Sequence, residues 1–240
     1  MRISLGRRVA AEFLGTGFLV AAVVGSGIMG ERLAGGNTAL ALLANTIATG
    51  AALVALILTF GPISGAHLNP VVTLADAVEG GLRWRETPHY LAAQILGAVS
   101  GTVVAHLMFG LPVISLSHRA RSGGAQLFSE FVATFGLLCV IWGCSRLQSN
   151  AIAFAVGAYI SAAYWFTAST SFANPAVTMG RAFSDTFSGI GPRDVPGFIV
   201  AQLTGGAAAT LLFRWLAPGL RRGAKDLLLQ HESSKSSSGK

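Results

Sequence analysis

Six long apolar runs constrain this chain more than any other feature of its sequence. They cover residues 9–29, 38–60, 88–109, 125–145, 150–168 and 196–216. A helix needs about 20 mostly apolar residues to cross a bilayer, and each run is close to that length. Only 11% of the residues are charged and 52% are hydrophobic, whereas ordinary soluble domains carry about 25% charged residues. The runs therefore predict an all-α membrane protein with six transmembrane helices.

Other features of the composition exclude further classes of protein. The apolar content excludes a disordered chain, and the low charge argues against a soluble nucleic-acid binder. The first run is too long for a cleaved secretory signal. Cys139 and Cys144 are too few for a disulfide scaffold and are typical of small buried hydrophobic residues. The five histidines are scattered without a carboxylate partner at metal-ligand spacing, so the sequence predicts neither a metal site nor a cofactor.

The basic residues that flank the apolar runs predict the orientation of the chain. One side carries eleven of them: Arg2, Arg7, Arg8, Arg83, Arg85, Arg146, Arg221, Arg222, Lys225, Lys235 and Lys240. The other side carries five: Arg32, Arg119, Arg121, Arg181 and Arg193. Because lysine and arginine accumulate on the cytoplasmic side, we expect both termini in the cytoplasm and the protein in the inner (plasma) membrane. Residues 218–240 lack apolar content and are expected to form a disordered cytoplasmic tail.

The sequence repeats itself in two halves. AAEFLGT around Glu12 returns as FSEFVAT around Glu130. AAQILGA around Gln94 returns as VAQLTGG around Gln202. The single domain, residues 1–240, therefore divides into a first repeat at 5–109, a linker at 110–124 and a second repeat at 125–217. Each repeat holds three apolar runs, an odd number, so the second enters the membrane upside down as an inverted-topology repeat.

Two shorter segments, residues 67–79 and 174–186, belong to the same repeat: HLNPVVTLA returns as FANPAVTMG. Segments of this length cannot cross a bilayer, but they can re-enter it. In each, asparagine suits the N-cap and proline the first position of a half-helix. The two half-helices are expected to meet at the midplane, where their positive ends disfavour cations and the amides donate to a neutral solute. The residues expected there are Asn69, Pro70, Val71, Asn174, Pro175 and Ala176.

These paired segments resemble the signature of the aquaporin, or major intrinsic protein, family. SGAHLNPVVTLA at 64–75 and FANPAVT at 172–178 carry the resemblance, which extends over about residues 5–217. Val71 departs mildly, because the family usually has alanine there. The resemblance implies six tilted helices and two re-entrant half-helices around one pore in each subunit of a homotetramer. It further implies a passive channel for small uncharged solutes in the lipid bilayer, not an enzyme.

The resemblance also assigns a selectivity filter, and here the sequence departs from the family. Val177 replaces the arginine that usually follows the second Asn-Pro-Ala. Family spacing places the other filter positions at Thr49, Ala162 and Ser171, although a small gap moves Ala162 to Tyr164. A ring of Thr, Ala, Ser and Val has no aromatic group, imidazole or fixed cation. We therefore expect a wider and less polar opening than in a water-selective filter.

Arg181 lies one helical turn beyond Val177, about 6 Å further along the axis. Two interpretations remain open for it. It is either a displaced cation at the outer mouth, or the partner of Asp185, again four residues on, at the rim.

Polar residues inside the apolar runs are expected to support the loops. Glu12 and Glu130 each cost about 2.5–3.5 kcal/mol on insertion scales unless they are satisfied, so each is expected to accept hydrogen bonds from re-entrant backbone. Near the start of its run, Glu12 also fits a residue that reaches the interface. Gln94 and Gln202 are interpreted as links between helices and loops. His67 either packs the loop or turns its carbonyl toward the pore.

The segment FANPAVTMGRAFSDTFSGI resembles bacterial aquaglyceroporin-like channels associated with arsenic resistance, which also lack the filter arginine. This resemblance implies glycerol-like polyols, urea, water and neutral arsenicals, such as arsenous acid or methylated forms, as permeants. The alternatives are a proton-coupled secondary transporter with inverted repeats, a water-selective aquaporin, an intramembrane hydrolase using a serine and His67, and a structural membrane protein. No nucleotide-binding loop, coupling-ion carboxylate cluster or nucleophile motif supports energy input or hydrolysis.

Overall fold

The computed structural model describes residues 3–147 and 151–216, and within them the chain forms eight helices and no β-strand. In chain order these are α1 (Leu5–Leu33), α2 (Thr38–Ser64), α3 (Pro70–Glu79), α4 (Thr87–Met108), α5 (Gly124–Leu147), α6 (Ile152–Phe166), α7 (Pro175–Arg181) and α8 (Val195–Leu216). The predicted all-α class is confirmed for these residues. The tail at 218–240 and the flanking residue Arg2 lie outside them.

Five of the six predicted spans are helices long and apolar enough to cross a membrane: α1, α2, α4, α5 and α8. The span predicted at 150–168 is shorter than expected, because α6 has 15 residues. At about 1.5 Å per residue it is about 22 Å long, less than the hydrocarbon core of about 30 Å. It ends where Thr167 takes an extended conformation and the chain enters the second re-entrant loop. α6 lies against α2 and completes the set of six.

Both half-helices begin as predicted, but only α3 also ends where the sequence predicts. Asparagine is the N-cap and proline the first residue of both α3 and α7. α3 ends at Glu79, and Gly80, whose φ is 84°, closes it. α7 ends at Arg181, before the predicted end at 186.

Side chains that follow Arg181 explain the early end of α7. The Ser184 hydroxyl lies 2.8 Å from Nε2 of His106 in α4. The Asp185 carboxylate accepts the backbone N–H of His118 at 2.9 Å. Because these short polar side chains are satisfied by distant partners, they hold the chain in a turn instead of another helical turn.

The helices pack in the same way in both halves. α1 lies against α4, and α5 lies against α8. A Cβ at Gly97 would collide with the carbonyl oxygen of Phe13, and a Cβ at Gly205 with that of Phe131. Both glycines therefore permit the close approach that small residues give to helix pairs in membranes. The half-helices connect the two repeats, because α3 packs against α8 and α7 against α4.

Candidate functional site: a cavity between the two halves

Both loops that lead into the half-helices hold residues in the left-handed conformation at corresponding positions of the repeat. In the first loop, Ala66 and Leu68 have φ values of 46° and 49°. In the second loop, Ser171 and Ala173 have φ values of 49° and 47°. Because residues other than glycine rarely adopt this conformation, the surrounding structure must hold both loops in place.

A fully buried carboxylate from the first helix of each half holds each loop. Glu12 accepts the backbone N–H of His67 at 3.0 Å and that of Leu68 at 2.7 Å. Glu130 accepts the two corresponding backbone N–H groups of the second loop at 2.9 Å each. These bonds satisfy polar groups at a depth where the bilayer supplies no water.

A glutamine from the last helix of each half, α4 or α8, links the carboxylate to the half-helix. Gln94 donates from Nε2 to Glu12 and to the Thr73 hydroxyl, both at 2.8 Å. Gln202 makes the same contacts in the second half, at 2.6 Å to the carboxylate and 2.9 Å to the Thr178 hydroxyl. Each loop is therefore tied to the first and last helices of its own half.

The two asparagine side chains tie the loops to each other. Asn69 caps α3 by accepting the Val71 N–H at 2.9 Å, and its Nδ2 donates to the Ala173 carbonyl at 2.8 Å. Asn174 caps α7, and its Nδ2 donates to the Leu68 carbonyl at 2.7 Å. Because an amide nitrogen carries two hydrogens, each asparagine has a second N–H for which no described residue is an acceptor.

One cavity of about 510 Å³ runs along both loops. Seven of the predicted site residues line it: Thr49, His67, Asn69, Ser171, Asn174, Val177 and Arg181. Most of the remaining wall consists of apolar side chains from α1, α2, α5 and α6. Such a path offers an ion little in place of its hydration shell, whereas an uncharged solute needs only a few hydrogen bonds.

Four residues expected at the midplane do not line this cavity. Pro70, Val71, Pro175 and Ala176 are buried beside it. Val71, for example, belongs to an apolar cluster that includes Leu138 of α5 and Ala209 of α8. A half-helix presents one face to the cavity, so the residues that directly follow each asparagine face the neighbouring helices instead.

The filter position predicted at Ala162 is wrong, and Tyr164 takes its place. Ala162 is exposed, whereas Tyr164 is buried and lines the cavity. Residues two apart on a helix point about 200° apart, so a small shift in spacing reverses the face. The Tyr164 hydroxyl lies 3.2 Å from the Thr49 hydroxyl. Tyr164 therefore adds an aromatic residue to the cavity wall near Thr49, where none was expected.

Arg181 lies in the cavity wall and forms no ion pair with Asp185 in the described structure. It is 2% exposed, and its Nε donates to the carbonyl oxygen of Ser188. Its guanidinium carbon lies 3.3 Å from the centroid of the Phe172 ring. Asp185 is instead paired with His118, whose backbone N–H and ring nitrogen hold the pKa of that carboxyl below its ordinary value.

Phe172 and Arg121 were not predicted as part of this site. The guanidinium carbon of Arg121 lies 4.8 Å from the centroid of the same Phe172 ring. Arg121 donates to the carbonyl oxygens of Gly189 and Ser169 at 2.8 and 3.0 Å. Burial lowers the pKa of Arg121 to about 10, so it stays charged at neutral pH. No local motif marks Arg121, whereas Phe172 occupies the place of His67 in the repeat.

At the other end of the cavity, His67 contacts a carboxylate that was also missed. His67 Nε2 lies 3.5 Å from Asp76 Oδ2, and its Nδ1 lies 3.2 Å from the Thr73 hydroxyl. Both His67 and Asp76 line the cavity. Within the described residues, no group of three or more His, Cys, Asp or Glu side chains is placed to hold a metal ion.

Two repeats that each contribute a re-entrant loop and a capped half-helix to one apolar cavity define a membrane channel. The sequence matches the family described as "Major intrinsic protein" over residues 1–150 and 143–238. The chain belongs to the major intrinsic protein family, and it is a passive channel for small uncharged solutes, not an enzyme.

Individual relatives and a solved structure agree with this assignment. The chain is 56% identical over 212 residues to "Aquaglyceroporin AqpS" of Rhizobium meliloti, covering 88% of this chain and 91% of that protein. It is 35% identical over 183 residues to "Probable aquaporin NIP7-1" of Arabidopsis thaliana, covering 73% of this chain and 66% of that one. The X-ray structure of the aquaglyceroporin from Plasmodium falciparum matches the fold with a TM-score of 0.71 at 21% identity, over 90% of this chain and 99% of that chain. The predicted aquaporin-like fold is confirmed.

Proposed function

We propose that this channel admits uncharged solutes larger than water. These are glycerol-like polyols, urea and neutral arsenicals such as arsenous acid or its methylated forms, with water itself among the smaller permeants. The observation that carries the proposal is Val177, which lines the cavity where the family resemblance leads one to expect an arginine. Its isopropyl group is smaller than an arginine side chain and has no hydrogen-bond donor, so the ring is wider on this side.

The chemistry of the ring supports polyols in particular. Thr49 and Tyr164 place two hydroxyl groups together on one side, and Val177 adds an apolar surface to the same cavity. A polyol presents both hydroxyl groups and a hydrocarbon edge, and it can satisfy both surfaces. The high identity to an aquaglyceroporin of Rhizobium meliloti supports the same class of permeant. Arsenous acid, which is neutral and carries three hydroxyl groups, offers similar hydrogen bonds.

Stopped-flow light scattering of proteoliposomes tests this proposal. Wild-type vesicles should equilibrate glycerol, urea and arsenous acid faster than protein-free vesicles. Thr49→Trp should reduce the flux of these solutes more than that of water, because it fills the ring. Thr59→Trp is the matched control, since Thr59 is on the same helix and exposed. Fast water flux with no solute flux would instead identify a water-selective channel.

We also propose a homotetramer in the inner membrane with both termini in the cytoplasm. The excess of arginine and lysine on one side of the predicted spans supports this orientation. Native mass spectrometry should give four times the subunit mass of 24.7 kDa. In inside-out vesicles a protease should remove a tag placed after Lys240, and in right-side-out vesicles the tag should be protected.

A proton-coupled transporter is the competing proposal, and the contacts of its candidate proton carriers do not favour it. Glu12 accepts hydrogen bonds from Ser64, His67, Leu68 and Gln94. Glu130 likewise accepts two backbone N–H groups and the Gln202 amide. A carboxylate has about four acceptor sites, so those of Glu12 are all occupied and three of those of Glu130 are occupied by groups that hold the second loop.

A further inference from the structure

Arg181 is the one charged side chain of the second half-helix, and its guanidinium is not neutralised within the described structure. Its Nε donates to the Ser188 carbonyl, and the N–H groups of its two Nη atoms have no partner among the described residues. The charge nearest to it in the Phe172 stack is that of Arg121, which has the same sign. Two guanidinium groups therefore contact one aromatic ring at this end of the cavity, which is the outer end in the proposed orientation, and of the two only Arg181 lines the cavity.

The direction of side chains on a helix explains how Arg181 reaches the filter. Side chains on an α-helix lean toward the N-terminus of the helix. From the last turn of α7, the Arg181 side chain therefore returns toward the loop that precedes the half-helix, and it ends against Phe172 of that loop. An arginine one turn beyond Val177 can thus present its guanidinium beside the residues that line the outer end.

A second observation at the same place also indicates a ligand. The Ser171 hydroxyl is buried, and within the described residues it has no hydrogen-bond partner. Ser171 lines the cavity together with Arg181, Val177 and Tyr164. Because buried hydroxyl groups are normally hydrogen-bonded, an unpaired one in a cavity wall marks a position where a solute oxygen or a water is held.

We propose that Arg181 and Ser171 form a binding site for the oxygen atoms of a permeating polyol at the outer end of the pore, and that Arg181 is the fixed charge that excludes cations there. The inference rests on the proposed function for its permeant and extends it to a specific site. The Nη groups donate to solute hydroxyl oxygens, Ser171 donates or accepts one further bond, and the Phe172 ring and the Ser188 carbonyl hold the guanidinium in position.

Two measurements on proteoliposomes test the proposal. The first is the ratio of glycerol to 1,3-propanediol permeability, because these solutes differ by one hydroxyl group. Ser171→Ala should lower this ratio by about fivefold, the equivalent of one hydrogen bond. The second is proton leak, followed with a trapped pH dye. Arg181→Leu should raise it by about tenfold or more, because the buried charge opposing cations is lost.

Matched variants separate a role in selectivity from a role in folding. Arg181→Lys should keep proton exclusion and lose the preference for glycerol, because an ammonium has a charge but no planar fork of donors. Arg119→Leu should change neither quantity, since Arg119 is half-exposed and paired with Glu31. If Arg181→Leu does not fold, Arg181→Gln, which removes the charge and keeps hydrogen-bond donors, takes its place in the leak measurement. The proposal is overturned if folded variants at both positions keep the wild-type ratio and leak.

Failure of the proposed function gives a different result. If the wild type passes neither glycerol nor 1,3-propanediol, the permeant is wrong, and the leak of Arg181→Leu relative to Arg119→Leu still tests the fixed charge. If solutes pass but these variants behave as wild type, only the site is wrong.

Discussion

The first re-entrant loop, which leads into α3, and the second, which leads into α7, have the same backbone conformation. They differ in the charge of their side chains. Both have left-handed residues at corresponding positions, a carboxylate that accepts two loop N–H groups and an asparagine that ties the loops together. Where the first has Asp76, the second has Arg181, and both line the cavity. The two repeats thus keep the same loop contacts although the charged residue that lines the cavity differs between them.

The aromatic rings beside Asp76 and Arg181 are also arranged alike in the two halves. His67 lies beside Asp76 at one end of the cavity and packs on Tyr90 of α4, with ring centroids 5.5 Å apart. Phe172 lies beside Arg181 at the other end and packs on Phe198 of α8, with centroids 5.2 Å apart. Each end therefore has an aromatic pair beside the charged group that lines the cavity, which is the Asp76 carboxylate at one end and the Arg181 guanidinium at the other.

The largest effect is expected on stability, from changing the buried glutamate that holds the re-entrant loop in each half. Glu12→Gln and Glu130→Gln should each lower the free energy of unfolding by about 3 kcal/mol, because an amide NH₂ then faces loop N–H donors inside the protein. The loss should be larger for Glu12, which accepts the Ser64 hydroxyl as well. Thermal unfolding in detergent measures this. Two variants that melt with the wild type would show that the carboxylates do not hold the loops.

A charge at the shared midplane should act equally from either half. Asn69→Asp and Asn174→Asp should each raise cation leak by about tenfold, because a carboxylate offsets the positive half-helix ends there. Each also replaces an amide donor that binds the opposite loop. Asn37→Asp is the control, since Asn37 caps α2 at an exposed position. An unchanged leak in folded protein would mean that the half-helices do not meet end to end on the conduction path.

The glutamates and glutamines that hold the re-entrant loops could be predicted from sequence, because each is an isolated polar residue in an apolar run and recurs in the second half. Glu130 and Gln202 are examples, since the repeat predicts both the residue and its partner loop. The filter position on α6 could not be predicted in this way, because counting back from Asn174 crosses a loop of unknown length. The surroundings of Arg181 were equally hidden, since Arg121 comes from the linker between the repeats and His118 takes the carboxylate of Asp185.

Val72 and Val177 occupy corresponding positions in the two halves. Replacing each with arginine tests whether an added positive charge affects glycerol permeability differently at the two ends of the cavity. Val177→Arg should lower glycerol permeability by about tenfold and water permeability less, because it adds bulk and a second cation one turn from Arg181. Val72→Arg should be the milder change, since Asp76 lies four residues on and can pair with it. Stopped-flow measurements on both variants decide this. If large-solute flux survives in Val177→Arg, Val177 does not line the constriction.

The smallest effect is expected on proton leak, from removing the charge of Asp76. Asp76→Asn removes the carboxylate beside His67, but the positive charge of Arg181 at the other end of the cavity remains, so proton leak should stay within about twofold of the wild type. The same dye assay used for Arg181→Leu measures it. A leak that changes as much in Asp76→Asn as in Arg181→Leu would show that the two ends contribute equally to exclusion.

Cysteine modification tests most directly the central claim that both half-helices line one conducting pore. In a background with Cys139→Ala and Cys144→Ala, single cysteines replace Val72 and Val177, which line the cavity, and Val71 and Ala176, which are adjacent but do not. Methyl methanethiosulfonate, which is small and neutral, is added before glycerol flux is measured. The account predicts that modification reduces flux in Val72→Cys and Val177→Cys and leaves Val71→Cys and Ala176→Cys unaffected. Loss of flux from only one half, or equal loss in all four variants, would contradict it.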